Sequence, residues 1–336
     1  MSGIQEESVF GFDGLSMAET HHIEAVKELI KGFLENVEFD RSRSPPKSPP
    51  LEFVVWVYFR NLNLGEEIER AVHKVILLSV TLTNHSYASL PFENKVLCAI
   101  QFVFMFLVDD IAPVFMEELR FFCQNFVLNK GHQHPLLHHF DRHLRYLSRF
   151  YGPYCHSTIV KSLFDYVNGR IIENEMEQSN FRFSPTTRLM PMFLRTKVGA
   201  AEILTALLWP QAIFPEEIYL MQYFPALKEL VLFTDFTNDI LSYYKEFIIN
   251  EEKGNFVANL AEAHEVSHLQ ILKHLSNYTP QVLHSVYKMF SNNHMLLEPV
   301  QDFVNGWIAL CTAQPRYHLV ELFADENYLP PYDDDS

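Results

Sequence analysis

The chain has 336 residues, of which 48% are apolar, so it can bury a large core in one or two domains. Lys and Arg number 26 against 42 Asp and Glu, and the net charge of -16 argues against nucleic acid or an anionic membrane surface as the main partner. The 4 cysteines form no CxxC pair, which argues against a disulfide framework or a thiolate zinc site and indicates a reduced, cytoplasmic setting.

The N-terminal region is acidic where a signal peptide is basic, and it lacks an apolar run. We therefore interpret residues 1–18 as an N-terminal extension. Apolar residues then recur with the spacing of a core-facing helix from Thr20 to Phe39. The sequence SRSPPKSPP, residues 42–50, ends this pattern and predicts a loop.

Apolar residues recur every three to four positions through most of the remaining chain, which predicts further helices around one core. The expected spans are 51–61, 66–86, 92–111, 135–151, 154–178, 187–208, 216–250, 264–292 and 297–322. No stretch alternates with the period of a strand, so we predict an all-α fold. A single helical domain should cover 19–324, and the acidic residues 325–336 should form a loosely held C-terminal tail.

The most apolar stretch is VLCAIQFVFMFLV, residues 96–108. It is shorter than the roughly 18 residues that span a bilayer, and Gln101 interrupts it, so it predicts a buried helix without membrane insertion. Asp109 and Asp110 follow directly. Two carboxylates at a helix C-terminus oppose the helix dipole and repel each other, which calls for a compensating cation.

A second polar feature lies in TNDILSYYKE, residues 237–246. Asn238, Ser242 and Glu246 stand four residues apart, so they share one face of a helix. An amide oxygen, a hydroxyl and a carboxylate are hard ligands that suit Mg²⁺ better than zinc or copper. Each polar feature alone is more typical of a solvated helix end or an exposed face, but the strongly apolar neighbours of both favour a metal site shared with Asp109.

These residues also match a known family. The chain resembles class I terpene cyclases, and within them the fungal sesquiterpene synthases of the trichodiene synthase type, over residues 90–322. NDILSYYKE fits that family's second metal motif, and LVDD fits the start of its aspartate-rich motif. FLRTKVG places Arg195 where the family has its diphosphate-sensing arginine, and PRYHLVELF carries the late pair Arg316 and Tyr317.

The resemblance implies a helical bundle that encloses a central apolar active-site cavity, and ionisation and cyclisation of farnesyl diphosphate with three Mg²⁺ ions as cofactors. It implies a homodimer as one state of assembly. The metal ligands would be Asp109, Asn238, Ser242 and Glu246. The groups that bind the substrate diphosphate would be Arg195, Lys245, Arg316 and Tyr317.

The carbocation formed in such a reaction needs a dry cavity, and aromatic faces can stabilise it by about 0.5 to 2 kcal/mol each. We expect the cavity lining to come from the helical faces that precede the metal motifs and the Arg-Tyr pair. The candidates are Phe102, Phe106, Val231, Thr234 and Trp307.

Two positions depart from the family pattern. Pro113 stands at the fifth position of the aspartate-rich motif, which is usually acidic. Because the family relies on the first aspartate of this motif for metal binding, the resemblance implies that Asp109 keeps this role. Asp110 would pair with Arg316 once substrate closes the site. Val198 stands where related bacterial enzymes have an acidic linker before a small residue.

Other functions compete with this prediction. HEVSH, residues 264–268, satisfies the HExxH pattern of zinc peptidases. Such an enzyme also needs a third ligand and usually an edge strand that aligns the substrate, and the sequence offers no clear strand, so these histidines are more typical of a solvated helix face. GHQHPLLHH, residues 131–139, has the composition of a transition-metal site but is more typical of a surface loop. A chain-elongating prenyltransferase would share the architecture, although it normally carries two aspartate-rich motifs. Pro113 also leaves open an inactive helical homologue that acts as a binding module.

Overall fold

Helix is the only regular structure in the described part of the chain, which confirms the all-α prediction. The structure is a computed structural model that describes residues 22–41, 47–252 and 254–332. The predicted N-terminal extension, 1–18, lies outside these residues, so the predicted domain boundary at 19 stays a prediction.

The described residues form sixteen α-helices, several of which are joined by short 3-10 or π-helical turns. The α-helices are α1 (His22–Asn36), α2 (Pro49–Arg60), α3 (Glu66–Ser86), α4 (Phe92–Ile111), α5 (Met116–Leu119), α6 (Phe122–Leu128), α7 (Pro135–Leu147), α8 (Pro153–Ser179), α9 (Met190–Val198), α10 (Ala201–Ala206), α11 (Glu216–Tyr223), α12 (Leu227–Tyr243), α13 (Phe256–His264), α14 (His268–Phe290), α15 (His294–Ala313) and α16 (Leu319–Leu322). The 3-10 turns are Ala112–Phe115, Pro185–Thr187, Phe224–Ala226 and Pro315–Tyr317, and the π-helix is Tyr244–Ile249.

Helix α4 lies in the core, where it packs against α2, α3 and α7. The helical stretch Phe92–Leu119 is apolar and long enough to cross a membrane, but 67% of its most apolar window is buried inside the protein. The prediction of a buried helix over the apolar run is therefore confirmed. Its last turn carries Asp109 to the edge of the core.

Helices α12 and α15 form a second central layer. Helix α12 packs against α10, α14 and α15, while α15 also packs against α3. Helix α8 packs against α9 and α10, and α1 packs against α14. Residues of α4 and α12 line one interior cavity between these layers.

Prolines divide two of the predicted helices. The span 216–250 is interrupted at Pro225, which begins a tight turn between α11 and α12. The span 297–322 is interrupted at Pro315, which begins the 3-10 turn Pro315–Tyr317. This turn, called the Arg-Tyr turn below, separates α15 from α16. Proline lacks the amide hydrogen that a continuing helix needs, so both breaks have a local cause.

The predicted helix 187–208 is broken for a tertiary reason. Ala200 adopts a left-handed conformation, with φ of 52°, between α9 and α10. Gly199 packs so closely on Asp235 and Arg195 that a Cβ atom at this position would clash with both side chains. Periodicity cannot show such a break, and it also missed the short helices α5, α6 and α13.

The predicted C-terminal tail, 325–336, is described only as far as residue 332, and residues 333–336 lie outside the described part of the chain. Lys27 on α1 is almost fully buried, and its ammonium donates to Asp325 at 2.6 Å and pairs with Glu326 at 2.9 Å. The hydroxyl of Tyr332 donates to Glu321 at 2.5 Å. A buried ammonium requires carboxylate partners, so residues 325–332 are held against α1 and α16.

Candidate active site

A cavity of about 890 Å³ opens between α4, α8, α9, α12 and the Arg-Tyr turn. Asp109 lines it on one side, and Asn238, Ser242 and Glu246 line it on another. The two polar features singled out in the sequence therefore face one interior space, although more than a hundred residues separate them.

Asp109 is engaged by an arginine that the sequence does not single out. Its carboxylate accepts a hydrogen bond from Arg170 of α8 at 2.5 Å, and the same guanidinium pairs with Glu173. Arg170 and Glu173 line the same cavity. Asp110, in contrast, is exposed at the end of α4 and forms no ion pair with Arg316 in the described structure.

The second polar feature changes helix type along its length. Asn238 and Ser242 lie on α12, while Glu246 lies in the π-helix that continues it. Wide π-helical turns of this kind are frequently found at functional sites. The amide nitrogen of Asn238 donates to the Tyr317 hydroxyl at 3.2 Å, which leaves the amide oxygen available as an acceptor.

The other two residues of this polar feature are Ser242 and Glu246. The hydroxyl of Ser242 is buried and forms no well-aligned hydrogen bond, although its closeness to the Glu246 carboxylate acts to lower the pKa of that group. Burial raises the pKa of Glu246 to about 7, against the opposing effect of Lys245, and Glu246 forms no ion pair in the described structure. A buried hydroxyl, an amide oxygen that accepts no hydrogen bond from the described residues and a carboxylate that lacks an ion pair form a donor set that fits a divalent hard cation.

Arg195 is buried and held by two aspartates of α12. Its Nε donates to Asp239 at 2.9 Å, its Nη2 donates to the Asp235 carbonyl at 3.0 Å, and its Nη1 lies 3.2 Å from the Asp235 carboxylate. Burial raises the pKa of Asp235 to about 6 and that of Asp239 to about 7, while Arg195 opposes both shifts. These contacts fix the guanidinium at the cavity wall, where it can meet an anionic ligand.

Three further predicted residues surround the same wall. Lys245, Arg316 and Tyr317 all line the cavity, and neither Lys245 nor Arg316 forms an ion pair within the described ranges. Tyr317 is buried beneath them. The cavity lining therefore combines unpaired cations with hard oxygen donors, a combination that suits a metal-bound polyphosphate.

The apolar wall contains most of the predicted lining. Phe102, Phe106, Thr234 and Trp307 all border the cavity, and the Trp307 indole donates to the Thr234 carbonyl at 3.0 Å. Val231 differs from the prediction, since it lines a separate cavity of about 550 Å³. Helix α10 packs against α12 at this level and contributes to that second cavity, which explains the difference.

The structure contradicts the zinc-peptidase alternative. His264 ends α13, Glu265 adopts a left-handed conformation with φ of 55°, and His268 begins α14. The two imidazoles therefore do not share one helical face, as the HExxH site requires. His268 instead contacts the hydroxyl of Tyr243 at 2.9 Å.

The histidine-rich segment 131–139 also differs from a free surface loop. The buried ring of His132 stacks on Phe122 and hydrogen-bonds Asp141 at 3.1 Å, while His134 packs against Phe115. Across the parts of the chain that the structure describes, no group of three His, Cys, Asp or Glu side chains is placed to hold a metal. These histidines serve packing.

A sequence profile of the trichodiene synthase (TRI5) family matches residues 67–329. The chain belongs to the trichodiene synthase family. Members of this family are terpene synthases, lyases that act on a prenyl diphosphate, and this assignment agrees with the resemblance found in the sequence.

Relatives of this trichodiene synthase family member come from several fungi. It is 23% identical to an (E)-beta farnesene synthase of Metarhizium brunneum over 89% of this chain and 90% of that protein. It is 27% identical to an alpha-cuprenene synthase of Coprinopsis cinerea over 89% and 90% of the two chains. It is 25% identical to a trichodiene synthase of Fusarium pseudograminearum over 73% of this chain and 64% of that one.

Solved structures show the same fold. A linalool/nerolidol synthase from Streptomyces clavuligerus superimposes with a TM-score of 0.58 at 13% identity, covering 83% of this chain and 98% of that chain. An α-eudesmol synthase superimposes with a TM-score of 0.56 at 13% identity, covering 81% and 98%. The family member therefore has the class I terpene synthase helical fold, as the resemblance implied.

Proposed function

We propose that this protein is a Mg²⁺-dependent sesquiterpene synthase that ionises farnesyl diphosphate, cyclises the chain and releases diphosphate. The observation that carries the proposal is that the oxygen donors of both polar features, the unpaired cations and the predicted aromatic side chains all line one cavity. Relatives named for farnesene, cuprenene and trichodiene support a fifteen-carbon substrate.

The metal would be held between the two polar walls. Asp109 would bind from the end of α4, while Asn238, Ser242 and Glu246 would bind from α12 and its π-helical extension. When bound, three Mg²⁺ ions would supply Lewis acidity toward the diphosphate oxygens and so stabilise the leaving group. The buried Ser242 hydroxyl, which forms no well-aligned hydrogen bond, and the neighbouring carboxylate of Glu246 support the fit of a hard cation to this wall.

The diphosphate would be oriented by the cations that line the mouth. Lys245 and Arg316 are unpaired in the described structure and can approach the anion directly, while Arg195 is pre-positioned by Asp235 and Asp239. Donors that are already aligned on a developing negative charge stabilise it without reorganisation during the reaction. Tyr317 would add one hydroxyl donor.

The prenyl chain would lie in the apolar part of the cavity. Phe102 is buried, and Phe106 and Trp307 expose part of their rings to the same space. Such a wall excludes water, which would otherwise quench a carbocation, and its aromatic faces stabilise the passing positive charge. A volume of about 890 Å³ lies within the range of small-molecule sites.

A cytoplasmic location and a homodimer complete the proposal. All four cysteines are free, which fits a reduced compartment. Sedimentation analysis of the purified protein tests the homodimer.

The direct test is incubation of purified protein with farnesyl diphosphate and Mg²⁺, followed by gas chromatography and mass spectrometry of the organic extract. We expect a sesquiterpene that is absent when EDTA is added. Parallel reactions with ten- and twenty-carbon substrates define chain-length preference, and added isopentenyl diphosphate tests chain elongation. Longer prenyl diphosphates would favour the prenyltransferase alternative. No terpene from any substrate would contradict the proposal and favour the inactive homologue.

A further inference from the structure

We propose that Arg170 is a positioning residue of the metal site, a built-in cation that holds the Asp109 carboxylate while no metal is bound and gives it up to a divalent ion. The inference rests on the proposed function, because it assumes that Asp109 is a metal ligand. It assigns a role to an α8 side chain that no motif in the sequence marks.

The contact between the two residues is short and lies inside the cavity. The Nη1 of Arg170 donates to the Oδ1 of Asp109 at 2.5 Å, and both side chains line the cavity together with Glu173. Arg170 also pairs with Glu173, so one guanidinium bridges two carboxylates. Only 24% of the Arg170 side chain and 34% of the Asp109 side chain are exposed, so solvent screens the pair incompletely.

The backbone that carries Arg170 is anchored on both sides. The hydroxyl of Tyr166, one turn earlier on α8, donates to the Met105 carbonyl on α4 at 3.2 Å. Gly169 lies so close to α9 that a Cβ atom there would approach the Val198 side chain to 2.8 Å. Because α8 is fixed against both neighbours, release of Asp109 requires rotation of the Arg170 side chain and no helix movement.

A divalent ion bound to Asp109 would compete electrostatically with Arg170 for the same carboxylate. A Mg²⁺ ion binds carboxylate oxygens at about 2.0 to 2.1 Å and repels a guanidinium that contacts the same atom. Among the described residues, Arg170 forms the only ion pair of Asp109. The buried Nε of Arg170 has no hydrogen-bond partner, so one donor of the guanidinium is unused in the present side-chain conformation. A divalent ion therefore competes with Arg170 and with no other cation.

Titration with Mn²⁺ alone, followed by electron paramagnetic resonance of the free ion, measures this competition without substrate. Mn²⁺ has the charge and the oxygen preference of Mg²⁺. We expect Arg170→Gln to bind the first Mn²⁺ about five- to tenfold more tightly than the unmodified protein, since the competing cation is gone. Arg182→Gln is the matched control, because Arg182 lines the same cavity without contacting Asp109, and it should change the affinity less than about twofold.

A double-mutant comparison separates displacement from a general charge effect. In an Asp109→Asn background, Arg170→Gln should leave the Mn²⁺ affinity unchanged, because the oxygen for which the two cations compete has lost its charge.

Thermal unfolding gives an independent measurement. In EDTA, Arg170→Gln should lower the melting temperature, and added metal should raise the melting temperature of this variant more than that of the unmodified protein. Circular dichroism confirms the fold, and Arg170→Met, which keeps the alkyl stem, replaces the glutamine variant if the latter does not fold.

Equal or weaker Mn²⁺ binding by both Arg170 variants would overturn the inference, because a residue that merely orients Asp109 would lower the affinity when removed. That result leaves the proposed function intact if the unmodified protein still converts farnesyl diphosphate. Loss of all terpene formation in the unmodified protein would overturn the proposed function, whatever the Mn²⁺ titration shows.

Discussion

Asn238 donates a hydrogen bond from its amide nitrogen to the Tyr317 hydroxyl at 3.2 Å, across 79 residues of sequence. This contact joins the metal motif of α12 to the Arg-Tyr turn after α15. It also orients the Asn238 side chain, since an amide that donates through its nitrogen presents its oxygen to the other side. Under the proposed function, the side chain that would bind metal and the side chain that would bind diphosphate are therefore linked through one hydrogen bond.

Tyr317→Phe removes this hydroxyl and should lower kcat/KM about tenfold, because the Asn238 amide loses the contact that orients it and the diphosphate loses a donor. The free energy of unfolding should fall by about 1 kcal/mol, as expected for one neutral hydrogen bond. Steady-state kinetics and denaturant unfolding measure the two effects. Tyr332→Phe, which removes a peripheral hydroxyl bonded to Glu321, is the control and should leave kcat/KM unchanged.

Asn238→Ala and Glu246→Ala should each reduce turnover of farnesyl diphosphate by about a thousandfold or more. Each substitution removes a proposed ligand of the Mg²⁺ ions that would stabilise the departing diphosphate. The fold should survive, as both side chains border the cavity and are only partly buried. Product quantification and circular dichroism check the two parts. Glu177→Ala removes another cavity carboxylate as a control, and full activity in both metal-motif variants would disprove the ligand assignment.

Gly199→Ala should destabilise the protein by about 2 kcal/mol and should also weaken diphosphate binding, because the added Cβ clashes with the Arg195–Asp235 pair. Thermal unfolding and the dissociation constant of inorganic diphosphate report these effects. Gly32→Ala on α1 is the matched control, since nothing lies within 4 Å of its would-be Cβ. That variant should be as stable as the parent or up to about 1 kcal/mol more stable.

His143 should contribute to acid denaturation. It is buried against Phe104 at a ring distance of 5.7 Å, and burial lowers its pKa from 6.5 to about 3. Below pH 6.5 His143 is protonated in the unfolded state but stays neutral in the folded state. The free energy of unfolding therefore falls as the pH drops from 6.5 toward 3, by about 1.4 kcal/mol per pH unit.

His143→Leu removes the contribution of this histidine to the pH dependence of unfolding. The midpoint of acid unfolding should therefore move to lower pH, as followed by circular dichroism across a pH series. His284→Gln, which changes an exposed histidine of α14, should leave the midpoint in place. An unchanged midpoint in the leucine variant would show that other groups dominate acid unfolding.

Much of the site was accessible from the sequence because its chemistry is locally encoded. Asn238, Ser242 and Glu246 share a helical stripe, and Asp109 ends an apolar helix, so periodicity and residue type already single them out. Periodicity and residue type are misleading where a segment matches a motif in sequence but does not form the helix that the motif requires. HEVSH has the letters of a zinc motif, yet a left-handed Glu265 separates the two histidines into different helices.

The sequence by itself determined the helical class, the buried α4 and the oxygen donors of both polar walls, because each depends on neighbours within a few turns. Only the tertiary structure decided that Arg170 reaches Asp109 across 61 residues, that Val231 lines a second cavity, and that residues 325–332 are anchored on Lys27. Those facts depend on how helices pack against one another, and contacts between distant segments leave no periodic trace in a single sequence.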